Sequence, residues 1–194
     1  MSSRQNPDQL LKAIQDEEVN QNKGHLKIFF GYAAGVGKTY AMLEAAHIAK
    51  QQGIDVVAGY IEPHERPKTA ALLNGLEVIP TKEVTYNGMI LHEFDIDAAL
   101  QRSPELILVD ELAHTNAEGC RHAKRYQDIK ELLRAGIDVY TTVNVQHIES
   151  LCDVVASITE VVVRERIPDS IFDHADQVEL IDIEPQDLIE RLSM

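Results

Sequence analysis

The hydrophobic and polar positions of this chain alternate between short apolar runs and stretches with helical spacing. Pro7 to Val19 reads as a short acidic helix with a thin stripe of Leu10, Leu11 and Ile14, and Gln21 to Gly24 as a polar linker. Leu26 to Phe30 is an apolar strand. In the run that follows it, Tyr40 to Lys50, Met42, Ala45, Ala46 and Ala49 fall on one helical face turned toward a sheet, and Gly53 ends it. Ile54 to Tyr60 is a second strand, Glu62 to Pro67 a polar loop, Lys68 to Leu73 one or two helical turns, and Leu76 to Ile79 a short strand. Thr85 to Ile90 carries Asn87-Gly88 between β-prone residues, a hairpin signal. Asp95 caps a short helix to Gln101. Leu106 to Val109 is continuously apolar, as a central parallel strand covered on both faces must be. Beyond the loop from Ala113 to His122, Tyr126, Ile129, Leu132 and Leu133 mark a helix stopped by Gly136. Then come a strand (Ile137 to Val143), a helix (Val145 to Ala156), strands at Glu160 to Val163 and Val178 to Ile183, and a terminal helix from Pro185 to Leu192. Strands alternating with helices predict a three-layer α/β fold with a mostly parallel sheet, and Gly35-Val36-Gly37-Lys38-Thr39 between the first strand and its helix makes the expected fold P-loop NTPase-like, with residues 1–24 as an N-terminal helix and linker and 25–194 as the domain.

Composition narrows the function. The chain has 194 residues, 44% hydrophobic and 26% charged, enough for one sizeable core. A formal net charge of −14 argues against a broad contact with a nucleic-acid backbone or an anionic membrane surface. No apolar run approaches the ~20 residues that span a bilayer. The polar, acidic N-terminus does not read as a signal peptide, and two isolated cysteines, Cys120 and Cys152, fit a reducing cytoplasm.

The chemistry centres on Phe29-Phe30-Gly31-Tyr32-Ala33-Ala34-Gly35-Val36-Gly37-Lys38-Thr39. A strand, a loop of small residues and Gly-Lys-Thr opening a helix is the context of a phosphate-binding loop. Small residues let backbone N–H groups converge on phosphate oxygens, and the helix N-terminus adds its unpaired donors. The expected ligand is ATP with Mg²⁺, held by Gly31, Ala34, Gly35, Val36, Gly37, Lys38, Thr39 and Tyr40, with Lys38 on the β- and γ-phosphates and Thr39 on the metal. One position departs from the usual pattern: Tyr32 stands where its first glycine belongs, and the glycine is displaced to Gly31.

Asp110, after four apolar residues, is the expected second Mg²⁺ anchor, acting through water. Glu111 is a candidate to orient or deprotonate an attacking water, against a bland role as loop cap or surface charge. Arg121, His122, Lys124 and Arg125 form a basic cluster; Arg121 and Arg125 are candidates for γ-phosphate contacts, against protein binding or simple solvation. Thr141, Thr142, Asn144, Gln146 and His147 gather at the next strand end, either to sense a γ-phosphate or to cap a helix. The histidines lack metal-site spacing. No Asn-Lys-x-Asp motif is present, which favours ATP over GTP.

These strings carry a resemblance. Leu-Lys-Ile-Phe-Phe-Gly at 26–31, Ala-Gly-Val-Gly-Lys-Thr at 34–39, Val-Asp-Glu-Leu-Ala-His-Thr-Asn at 109–116, Arg-Tyr-Gln-Asp-Ile at 125–129 and Ala-Gly-Ile-Asp-Val-Tyr-Thr-Thr-Val-Asn-Val-Gln-His at 135–147 resemble the N-terminal cytoplasmic domain of the potassium-responsive sensor histidine kinases, the KdpD family. The resemblance runs from about Pro7 to Leu192, and the family shares the displaced glycine. It implies an ATP-binding regulatory domain of a two-component system whose full-length members are anchored in the inner membrane, sense potassium and control a potassium-transport operon through a response regulator. It also implies that Gly35, Gly37, Lys38 and Thr39 bind ATP phosphates and that Asp110 belongs to the Walker B element. The expected partner is the histidine-kinase transmitter module or another two-component protein, with no direct nucleic-acid contact or membrane insertion. The chain stops after this domain, without the stress-protein-like domain, membrane helices or transmitter of the family, so autokinase activity is not expected in it and at most slow ATP hydrolysis is. The competing expectations are a small nucleotide or metabolite kinase and an interaction module with a vestigial site.

Overall fold

The computed structural model describes residues 23–62 and 67–192. The expected helix at Pro7 to Val19 lies outside them. Six strands form one parallel sheet: β1 (Leu26–Gly31), β2 (Val56–Tyr60), β3 (Glu77–Val78), β6 (Leu106–Val109), β7 (Asp138–Asn144) and β8 (Gln177–Leu180), in the order β3-β2-β6-β7-β1-β8. A separate antiparallel hairpin, β4 (Lys82–Tyr86) and β5 (Met89–Glu93), turns at Asn87-Gly88 as the sequence predicts; both turn residues have positive φ. The helices are α1 (Lys38–Gln51), α2 (Pro67–Leu72), α3 (Ile96–Arg102), α4 (Arg125–Arg134), α5 (Cys152–Thr159), α6 (Asp169–Asp173) and α7 (Pro185–Leu192).

Period-two side-chain alternation builds the layers. Phe29, Val56, Ala58, Leu106 and Leu108 face one way and pack with Met42, Leu43, Ala46 and Ala49 of α1. Ile28, Val57, Ile107, Val109 and Val139 face the other way, onto Ile129, Leu132 and Leu133 of α4 and Ile171 of α6. The expected three-layer α/β fold with a mostly parallel sheet is the one observed. Asp95 caps α3 as expected, its Oδ1 accepting from the Ala98 N–H at 3.0 Å.

Two expectations at the C-terminal side are corrected. Val145 to Ala156 is not one helix: two 3₁₀ turns, Val145–His147 and Glu149–Leu151, precede α5. Ile148 is extended (φ −77°, ψ 122°) because it bridges Ile167, with the Ile167 N–H donating to the His147 carbonyl and the Glu149 N–H to the Ile167 carbonyl. Glu160 to Val163 forms no strand; Glu160 turns left-handed at the end of α5, and Val161 and Val162 are exposed.

Candidate functional site

The loop between β1 and α1 follows from its glycines. Gly35 (φ 91°) and Gly37 (φ 108°) occupy left-handed backbone, and Gly37 is the N-cap of α1. The first turn of α1 carries no acidic side chain and its N-cap provides no side-chain acceptor, so no protein carboxylate offsets the positive end of the helix dipole there. The loop folds back over the end of β1. A Cβ on Gly31 would lie 2.7 Å from Cγ2 of Val36 and 3.1 Å from Cδ of Lys38, and Val36 is only 2% exposed. Close packing therefore requires the glycine at position 31. Tyr32, in the usual glycine position, faces outward and donates from its hydroxyl to the Ile183 carbonyl at 2.8 Å, tying the loop to the segment after β8. Lys38 is buried, and its Nζ donates to the Ala33 carbonyl at 2.9 Å.

Asp110 follows β6 and is 1% exposed. Thr39 Oγ1 donates to its Oδ2 at 3.1 Å, so the two proposed anchors, 71 residues apart in sequence, are in contact. Its Oδ1 accepts from the Thr142 hydroxyl and from the Glu111 N–H at 3.2 Å. Because β7 runs between β1 and β6, its end enters between the loop and the carboxylate: Asn144 pairs in register with Gly31, and Thr141 with Val109. Oδ1 of Asn144 is buried without a protein partner.

These groups line a cleft of about 1110 Å³ at the carboxyl ends of the strands. Ala34, Gly35, Gly37, Lys38, Thr39 and Tyr40 form one wall, and Asp110, Glu111, Thr142 and Asn144 the floor. Gln146 is not on it; its carbonyl accepts from Cys152 Sγ. Sequence reasoning missed the far wall. Pro67, Lys68 and Thr69 come from the start of α2, and His114 and Glu165 from loops that meet through the Thr115 N–H donating to Glu165 Oε1 at 2.8 Å. His147, also on the cleft, points its Nδ1 at the Glu165 carbonyl at 2.8 Å. Only a long-range pairing brings residue 165 here, so no local signal would have found it.

Glu111 adopts φ 60°, unusual for a residue with a side chain. Burial, then the neighbouring charges of Glu62 and Asp110, push its carboxyl above the ordinary range, while Arg125 and His114 offset part of this. A raised pKa makes this carboxylate a stronger base than an ordinary glutamate. In the folded state Glu111 binds its proton more tightly than in the unfolded chain, so its contribution to stability declines as pH rises above the ordinary glutamate range of about 4.3. Glu111→Gln is therefore expected to raise Tm at pH 7 and to flatten this decline; thermal melts of both proteins from pH 4 to 8 check it, and a variant that melts lower at pH 7 would contradict it.

Arg121 and Arg125, expected as γ-phosphate contacts, are placed away from the glycine loop. Neither lines the cleft. Arg121 lies at the surface, paired with Asp97 at 3.1 Å and Glu131 at 2.9 Å. Arg125 is 0% exposed; its guanidinium stacks 4.0 Å from the Tyr60 ring centroid and donates to Glu93 Oε2 and to the Asp110 carbonyl, each at 3.2 Å. The rest of the basic cluster is also engaged, His122 with Glu131 at 2.6 Å and Lys124 with the Thr115 hydroxyl at 2.6 Å.

A parallel α/β sheet, a glycine loop opening a helix and an acidic strand end facing that loop define the class. Within it, the model of the osmosensitive K⁺ channel His kinase sensor domain, KdpD, matches residues 22–194, and the chain belongs to that family. It is 65% identical over 190 residues to the sensor protein KdpD of Clostridium acetobutylicum, covering 98% of this chain and 21% of the relative. Against the sensor protein KdpD of Escherichia coli strain K12 the identity is 56% over 189 residues, covering 97% and 21%. Against the putative sensor protein KdpD of Synechocystis it is 54% over 170 residues, covering 88% and 46%. The chain thus spans about a fifth of the length of the first two. Among solved structures, the genome packaging NTPase B204 of Sulfolobus turreted icosahedral virus 2, in complex with AMP, aligns at a TM-score of 0.42 and 11% identity over 89% of this chain and 81% of that one, too distant a likeness to argue from. Among the described residues no helix is long and apolar enough to cross a membrane.

Proposed function

We propose that this chain is the ATP-binding regulatory domain of a cytoplasmic signalling module. In this reading it binds ATP with Mg²⁺ and presents its nucleotide state to a histidine-kinase transmitter or another two-component protein, in a system that controls a potassium-transport operon. The observation that carries the reading is the 3.1 Å contact between Thr39 and Asp110 beneath a glycine loop that opens a helix. A hydroxyl and one carboxylate suit Mg²⁺, which keeps several waters and takes few protein oxygens. Thr39 and Asp110 would hold the metal, which would neutralise charge on the phosphates. Lys38 and the α1 N-terminus would hold the phosphates, and Glu111 would orient water for slow hydrolysis.

Asp110→Asn separates a metal anchor from a structural acid. It is expected to weaken Mg²⁺-ATP binding at least tenfold and to change binding in EDTA far less, measured by titration calorimetry. Equal losses with and without metal would make Asp110 structural only. A second reading, a small-molecule kinase, is favoured by the polar far wall of His114, His147 and Glu165, where an acceptor would sit. Following labelled phosphate with and without candidate acceptors separates the two: it appears in water, on the acceptor, or nowhere.

A further inference from the structure

The peptide joining Asp110 to Glu111 is held at both ends. Its carbonyl accepts from Nη1 of Arg125 at 3.2 Å. Its N–H donates to Oδ1 of Asp110 and to Oγ1 of Thr142, each at 3.2 Å. The peptide plane sets two things at once. It holds the Asp110 carboxylate against Thr39, and it places Glu111 at φ 60°, a conformation that a residue with a side chain keeps only when its surroundings enforce it.

Arg125 can enforce it because it is itself fully buried and held by its neighbours. One face of the guanidinium lies over Tyr60, and Nη2 is paired with Glu93, which is 5% exposed. Glu93 also accepts from the Ala117 N–H at 2.9 Å and contacts His114 Nε2 at 3.0 Å, so it pins the loop after Asp110 on the same side. Nε of Arg125 is buried without a partner. A buried cation with one donor unmet is costly to maintain, so its geometry is explained better by what it holds than by stability.

We propose that Arg125 is a positioning residue: it fixes the Asp110–Glu111 peptide, and through it the Asp110 carboxylate and the Glu111 side chain, for the metal and water of the bound nucleotide. This rests on the nucleotide-site reading above. Lysine keeps the charge opposite Glu93 but lacks the planar fork that spans Glu93 and the Asp110 carbonyl together.

The test uses Arg125→Lys and, should that variant fold poorly, Glu93→Gln, which keeps the shape of the partner and removes its charge. In each protein the ratio of ATP Kd in EDTA to Kd in Mg²⁺ is measured, since a general loss of stability affects both conditions alike. The ratio is expected to fall about tenfold in Arg125→Lys and several-fold in Glu93→Gln, with no further fall when Arg125→Lys is added to Asp110→Asn. In the nucleotide-free protein, exchange of the Glu111 amide is expected to quicken at least tenfold relative to that of Val139, whose N–H lies within the sheet and donates to the His25 carbonyl. An unchanged ratio, or equal acceleration at Glu111 and Val139, overturns the positioning role. A wild-type protein with no Mg²⁺ preference would overturn the nucleotide reading instead, and the amide exchange would still decide whether Arg125 holds the peptide.

Discussion

On the proposed nucleotide-site reading, Lys38→Ala is expected to abolish most of the stabilisation that Mg²⁺-ATP would give the wild-type protein. A ligand that binds only the native state, at ~100 times its Kd, stabilises by about 2.7 kcal/mol. For a domain of this size that is a rise of roughly 5–10 °C in Tm. The buried stem of Lys38 packs against the end of β1, and its ammonium reaches back to the Ala33 carbonyl, so the charge is held within the loop that would receive the phosphates. Alanine removes that charge, and loss of the hydrogen bond to the Ala33 carbonyl costs the ligand-free fold about 1 kcal/mol. The unliganded variant should therefore melt close to the wild type while responding little to nucleotide. Differential scanning fluorimetry over an ATP series reads both quantities, and equal shifts in the two proteins would remove Lys38 from the phosphate site.

The second large effect is on stability. Arg125→Ala leaves the Glu93 carboxylate buried without its cation and opens a cavity beside Tyr60. Breaking a buried pair by deleting one partner costs about 3–5 kcal/mol. Part of that reflects the charge left behind, because the Ala117 N–H and His114 still face Glu93. The double variant Arg125→Met with Glu93→Gln should recover a good share of the loss, since no uncompensated charge remains. Urea unfolding of the three proteins gives the comparison. A loss below about 1 kcal/mol in Arg125→Ala would mean that water or a rearranged side chain replaces the guanidinium.

The same residue shows where sequence reading stops. Near an acidic strand end, an arginine in a basic cluster reads as a phosphate contact, because charge is visible in sequence and burial is not. What buries Arg125 is Tyr60 at the end of a strand 65 positions earlier and Glu93 from the hairpin. The glycine loop was legible because its requirements are local: left-handed glycines at 35 and 37 and a helix that starts at Lys38. The strands were legible for the same reason, since Leu106 to Val109 is apolar on both faces. Ile148 was not, because its extended backbone answers to Ile167, which no periodicity connects to it. Val161 and Val162 carry the composition of a strand, but no partner strand lies beside them among the described residues, and composition alone does not supply one.

The strand order has a metric consequence. Neighbouring strands lie about 4.8 Å apart, so placing β7 between β1 and β6 sets the rails that carry the glycine loop and Asp110 about 10 Å apart. Thr39 spans that gauge only because the first turn of α1 overhangs the sheet. The space beneath the overhang is tiled by the side chains that end β7, Thr142 and Asn144. Were β1 and β6 adjacent, the gauge would halve and those tiles would have no room. The width of the sheet at this point therefore decides how many protein groups stand between the glycine loop and a carboxylate.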